Sequence, residues 1–189
     1  MHAELWRCFV AVPLGEELRR ELAAAVDGWR LRADLAGLRW TDPASWHVTL
    51  AFLGSVEPGS VPHLADGLAG VVGRHAPMRL RTARVGGFPS AARARVAWYG
   101  VADPEGVLAD LARDVRRAAG VEGEAFRGHV TLARARREPV DAREWVRQAQ
   151  APAGELAVER VELMRSHLGR GPARYEVLES FAVGAAARV

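Results

Sequence analysis

Lysine is absent from this chain of 189 residues, and all 26 basic residues are arginine. Cysteine is nearly absent, with Cys8 alone. A single cysteine excludes an internal disulfide framework and every zinc pattern built on several thiolates. No apolar run is long enough to cross a bilayer as a helix. The segment Met1-His2-Ala3-Glu4-Leu5-Trp6-Arg7 lacks the positive and apolar regions of a secretory signal. A cytoplasmic setting without a membrane partner is therefore the expectation. Excess charge is also scarce: the net value of +3 permits an anionic substrate but does not suggest a large DNA-binding surface. Arginine forks match phosphate well. The accompanying wealth of Ala, Gly and Val gives the arginine bias a simpler source in genomic base composition.

What is present is a pattern of mixed strands and helices with no long linker and no low-complexity stretch. Strands are predicted over 5–12, 38–40, 46–56, 78–85, 95–101, 127–134, 156–164 and 174–183. Helices are predicted over 14–35, from the turn at Glu57-Pro58-Gly59 to about Gly73, from Asp103 to about Gly120, and over 141–150. Gly86-Gly87-Phe88-Pro89-Ser90 reads as a loop that ends a strand. Asp103-Pro104-Glu105 reads as a helix start, with Asp103 as the cap. Gly169-Arg170-Gly171-Pro172 reads as the turn between the last two strands. The mixture lacks the strict alternation of a doubly wound parallel sheet.

The pentapeptide His-Val-Thr-Leu-Ala occurs twice, at 47–51 and 129–133, about half the chain apart. On an extended strand alternate side chains share a face. His47, Thr49 and Ala51 are thus expected on one face, as are His129, Thr131 and Ala133. The spacing predicts an α+β fold with two pseudo-symmetric lobes, antiparallel sheets facing a central cleft, and helices outside. Residues 1–189 would form a single two-lobed domain, with one motif strand per lobe (47–50 and 129–132). A pair of imidazoles suits acid–base work on a phosphodiester, because histidine titrates near neutral pH. The threonine hydroxyls supply donors for developing phosphoryl charge. No metal-ligand set is evident, and a strained cyclic phosphate needs none.

These residues resemble the two-histidine phosphoesterase superfamily, whose signature is a pair of His-x-Thr-x motifs. Within it the chain is similar to the RNA 2′,3′-cyclic phosphodiesterases, also called 2′-5′ RNA ligases. The resemblance includes Arg7-Cys8-Phe9-Val10-Ala11-Val12-Pro13, Trp40, the segment His47 to Gly54, Gly87-Phe88-Pro89, and Phe126 to Arg134. Leu163-Met164-Arg165-Ser166 and Tyr175 also fit. Gly128 departs from it, since proline usually precedes the second histidine. The resemblance implies cofactor-free hydrolysis of an RNA 2′,3′-cyclic end to a 2′-phosphate, and a monomer is the separate expectation. It makes His47 the proton donor to the leaving O3′ and His129 the acceptor from water. It also makes Arg134 a phosphate contact, although strict alternation puts Arg134 on the face opposite His129 unless a bulge intervenes. Arg127 has the correct parity. Phe88 is a candidate for stacking on a base, with packing against the sheet as the alternative. The run Arg134-Ala135-Arg136-Arg137 reads either as a phosphate track or, more commonly, as a solvated strand end. His2, His63, His75 and His167 read as surface or structural. Three other activities remain compatible with the sequence: action on 2′-5′ linked oligonucleotides or small cyclic nucleotides, reverse ligation, and RNA-end binding without catalysis.

Overall fold

The computed structural model describes residues 4–122, 125–167 and 173–185. The strands are β1 (Trp6–Pro13), β2 (Leu38–Trp40), β3 (His47–Val56), β4 (Met78–Phe88), β5 (Val96–Val101), β6 (His129–Ala135), β7 (Glu155–Val158), β8 (Arg160–His167) and β9 (Arg174–Ala182). The α-helices are α1 (Glu16–Trp29), α2 (Val61–Val72), α3 (Val107–Ala118) and α4 (Arg143–Gln148). The expected α+β composition with antiparallel strands is present.

The strand order is β7-β4-β5-β6-β3-β1-β8-β9, with β2 added to β6. The two motif strands lie side by side at its centre but are paired in the ladder at one position, Val48 opposite Val130. That narrow seam divides the path into two halves. In one, β1, α1 and β3 form a strand–helix–antiparallel strand unit; in the other, β5, α3 and β6 repeat it. The halves are also tied by the chain itself. Strands β7 and β8, near opposite ends of the path, are separated only by Glu159. Such a short link requires the sheet to curl into a half-barrel.

The helices cover the convex side by burying one stripe each. Leu18, Leu22, Val26 and Trp29 of α1 are buried at helical spacing, as are Leu108, Leu111, Ala112 and Val115 of α3. Each fully buried leucine contributes about 1.5–3 kcal/mol. Trp29 meets the Trp145 ring of α4 edge-on at 5.5 Å, which ties α1 to α4.

Several predicted boundaries move. Helix α1 stops at Trp29 rather than near Leu35, because the stripe is not continued: Arg32 turns extended to pair with Asp34, and Leu31 is 87% exposed. Asp103 is not adjacent to α3, whose N-cap is Gly106 at φ 74°. The Asp103 carboxylate reaches over this turn and accepts from the Ala109 N–H at 2.9 Å, so it caps the helix from outside. The stretch expected as one strand over 156–164 is two. Leu156 and Val158 are buried, then Val161 and Leu163, and the odd step between 158 and 161 breaks the two-residue period. Gly86 and Gly87 do not end a strand; β4 continues through them to Phe88. The turn over 169–172 lies outside the described residues.

Candidate active site

Both motif strands carry a β-bulge at their fourth residue. In β3, Val10 pairs with Ala51 and Ala11 with Thr49, leaving Leu50 unpaired. In β6, Ala97 pairs with Ala133 and Trp98 with Thr131, leaving Leu132 unpaired. A bulge adds one residue and so inverts the alternation beyond it. His47 and Thr49 face the cleft as expected, as do His129 and Thr131. Ala51 and Ala133 do not: they are 2% and 0% exposed and belong to the core. The next residues take their place, and the cleft receives Phe52 from β3 and Arg134 from β6. The bulge thus settles the parity conflict over Arg134 in favour of the cleft.

The backbone carbonyls freed by the two bulges are each held. Leu132 O accepts from the Thr41 N–H at 2.8 Å and the Thr41 hydroxyl at 2.9 Å. Leu50 O accepts from Arg116 Nε at 3.0 Å. Thr41 Oγ1 also accepts from the indole N–H of buried Trp46 at 2.8 Å. A buried carbonyl left without a partner costs about 1–3 kcal/mol, so these contacts keep the bulges in place.

The cleft has a volume of about 510 Å³. Its two imidazoles are oriented alike. His47 Nδ1 donates to Ser45 O at 2.7 Å, and His129 Nδ1 donates to Arg127 O at 2.8 Å. Each bond runs to the carbonyl two residues back, which puts the proton on Nδ1 and leaves Nε2 for the cleft. Phe9 stacks on His47 at 4.9 Å, and Tyr175 meets its edge at 5.3 Å. Phe88 meets His129 edge-on at 5.0 Å. The Thr49 and Thr131 hydroxyls border the cleft with no protein partner among the described residues.

Burial pushes the His47 imidazole down from 6.5 to about 4, with the positive potentials of His129 and Arg134 adding and the Ser45 carbonyl opposing. His129 is also lowered, chiefly by burial, then by Arg134 and Arg127, against the opposing Arg127 carbonyl. Both rings are therefore neutral at neutral pH in the empty cleft. A proton on His129 lowers His47 further, which disfavours the doubly protonated pair.

Arg127 is absent from this cleft's lining and borders an adjoining hollow, where its guanidinium lies 5.6 Å from the Phe88 ring centre. Phe88 is the last residue of β4 rather than part of a loop. One side of its ring rests against Trp98 at 5.3 Å, and Trp98 lies so close to Gly86 that a Cβ there would meet it at 2.2 Å. Gly128 is buried, and its carbonyl accepts from Val101 N–H at 2.9 Å, which fixes the chain entering His129. His75 pairs with Asp114 at 3.2 Å, and His167 with Glu176 at 2.8 Å; neither borders the cleft. Sequence reasoning missed Thr41, Ser45 and Phe52. Phe52 stands at the same offset from His47 as Arg134 from His129, and that shared offset was the available signal. Among the described residues, no group of three or more His, Cys, Asp or Glu side chains could hold a metal ion, and no helix is long and apolar enough to cross a membrane.

The profile of the LigT-like phosphoesterase family matches residues 12–98. An RNA 2′,3′-cyclic phosphodiesterase of Geobacillus stearothermophilus is 30% identical over 179 residues; the alignment covers 92% of this chain and 56% of that relative. The chain thus spans little more than half the length of that protein. The structure of Escherichia coli LigT with NADP⁺ superimposes with a TM-score of 0.72 at 30% identity, covering 96% of this chain and 99% of LigT. LigT with 3′-AMP gives 0.73 at 29% identity, covering 95% and 99%. Taken with two bulged His-x-Thr strands meeting at one cleft, these matches place the chain in the LigT-like family of two-histidine phosphoesterases.

Proposed function

We propose that this chain hydrolyses RNA ends bearing a 2′,3′-cyclic phosphate to the 2′-phosphomonoester, with His47 and His129 as the acid and base. The observation that carries this reading is the matched pair of imidazoles. Both are held by backbone carbonyls at Nδ1, and both offer Nε2 to one cleft that also contains Arg134 and two unpartnered hydroxyls. The name of the Geobacillus relative and the 3′-AMP bound to LigT support a nucleotide end as the substrate.

In the proposed reaction, a water oxygen attacks phosphorus and gives its proton to His129 Nε2. The P–O3′ bond breaks, and O3′ takes the proton from His47 Nε2. The products are a 2′-phosphomonoester and a 3′-hydroxyl. The order of the two histidines follows the family resemblance. Because His47 is held near 4, it takes its proton from solvent as the anionic substrate binds, since the substrate's charge offsets Arg134 and raises the proton affinity of both rings. Once protonated, so buried an imidazole is a strong acid toward the leaving oxygen. Thr49, Thr131 and Arg134 hydrogen-bond the non-bridging oxygens as charge develops. Phe88 acts by positioning His129. Phe52, 72% exposed at the cleft, gives the terminal base a ring to stack on. The proposed working unit is one copy of the chain, as a single two-lobed domain in the cytoplasm, needing neither cofactor nor metal.

The test is an RNA oligomer ending in 2′,3′-cyclic phosphate, given to the purified chain in EDTA. A 2′-monophosphate product is expected. His47→Ala and His129→Ala should each lower the rate by about 10²-fold or more. A 3′-monophosphate would refute the leaving-group assignment, and binding without turnover would refute the catalytic reading.

A further inference from the structure

We propose that the hollow beside the catalytic cleft, where β2 pairs with β6, binds the backbone phosphates that precede the cyclic end, so that the chain selects oligonucleotides over cyclic mononucleotides. This rests on the cyclic-phosphate reading above and extends it to substrate length.

The hollow measures about 790 Å³ and is continuous with the cleft, since Thr41, Ser45, Arg134 and Tyr175 border both. Its cationic side is built from Arg39, Arg134 and Arg136, all exposed. Arg39 and Arg134 stand directly opposite each other in the antiparallel β2–β6 pair. Directly opposed side chains share a face, and like charges in that position destabilise a sheet. Seven other arginines have a carboxylate within 3.1 Å: Arg32, Arg79, Arg113, Arg143, Arg147, Arg160 and Arg165. Among the described residues Arg39, Arg134 and Arg136 have no ion pair, and none of their side chains makes a hydrogen bond. The Asp42 carboxylate also borders the hollow; one of its oxygens accepts from the Ala44 N–H at 2.9 Å, and it forms no ion pair among the described residues. A paired set of guanidinium groups without counter-ions, opening into a cleft that handles a phosphodiester, is a site for further phosphate.

The chemistry of the end decides what fills it. A nucleoside 2′,3′-cyclic phosphate with a free 5′-hydroxyl carries one phosphate, which the imidazoles take. Any oligonucleotide carries at least one more phosphodiester on the 5′ side of its last nucleoside, and that group reaches the hollow. The run from Arg134 to Arg137 is then more than a solvated strand end, because Arg134 and Arg136 both contribute to one surface with Arg39.

The experiment compares adenosine 2′,3′-cyclic phosphate with a trinucleotide ending in the same group, using the parent chain and the double variant Arg39→Gln/Arg136→Gln. The parent should show at least about tenfold higher kcat/KM on the trinucleotide at low salt. The double variant should lose about tenfold on the trinucleotide through KM and leave the mononucleotide unchanged. The salt dependence of trinucleotide kcat/KM should flatten by about 0.7 in logarithmic slope for each phosphate contact removed. Equal losses on both substrates, or a parent indifferent to length, would overturn the proposal. Fluorescence anisotropy of a 5′-labelled trinucleotide ending in 2′-phosphate separates the two readings. If the parent turns over neither substrate yet binds this probe more tightly than the double variant, the phosphate track stands and the cyclic-phosphate reading falls. Equal binding overturns the track.

Discussion

Keeping the His47 ring neutral inside the cleft makes the folded chain sensitive to acid, and the size of the effect can be worked out. The folded ring titrates at about 4 and the unfolded one near 6.5. Between those values the unfolded chain binds a proton that the folded chain refuses, so stability falls as pH falls. Above about pH 6.5 both states are neutral and the effect vanishes. Well below pH 4 both are protonated, and the full difference of about 3 kcal/mol is reached. At about pH 4.5 the loss amounts to about 2.5 kcal/mol. His129 is shifted the same way and adds to it. Urea unfolding of the parent and of His47→Gln, each at about pH 7.5 and pH 4.5, isolates the contribution, because glutamine has no proton to refuse. The variant should lose about 2.5 kcal/mol less than the parent on acidification. Losses equal within about 0.5 kcal/mol would show that the imidazole is not held neutral, and the proposed arrival of its proton with substrate would fail with it.

Three further outcomes follow from the same cleft. Both imidazoles are lowered from the ordinary value of 6.5, so the singly protonated pair forms only at lower pH, and the alkaline limb of kcat/KM should lie below about pH 6.5. Arg134→Gln removes a charge that lowers both rings, and it should move that limb to higher pH while reducing kcat/KM; an unmoved pH profile would contradict the assigned electrostatics. Gly86→Ala puts a methyl group where Trp98 lies, at 2.2 Å, which should cost about 1–3 kcal/mol of stability. Because Trp98 supports Phe88 and Phe88 borders His129, turnover should fall with it; thermal unfolding and hydrolysis of the cyclic-phosphate oligomer read the two effects, and full activity would break that chain of contacts.

The motif strands were legible in the sequence because their pattern is local: a pentapeptide repeated letter for letter points to both the strand and the side chains at its start. The bulges were not. Alternation assumes an unbroken ladder, whereas Leu50 is set aside by its pairing with Val10 and Ala11, and Leu132 by its pairing with Ala97 and Trp98. Those partners lie far off in the chain, so counting along one strand put Ala51 in the cleft and left Arg134 on the wrong side. The same limit explains Gly86 and Gly87. They read as a turn, yet their smallness serves an indole on the neighbouring strand. The division at Glu159 was visible as an odd step between Val158 and Val161, but only the sheet order shows that the step carries the chain from one half of the sheet to the other.

Both ring tautomers are specified by main-chain oxygen, at Ser45 and at Arg127, rather than by a carboxylate or amide side chain. Every residue has such an oxygen, so no substitution at 45 or 127 can delete the acceptor; it can only displace it. The orientation of the imidazoles therefore does not depend on which side chain stands at 45 or 127. In a site of this kind, the orientation of the rings is vulnerable chiefly to changes that bend the strand entry.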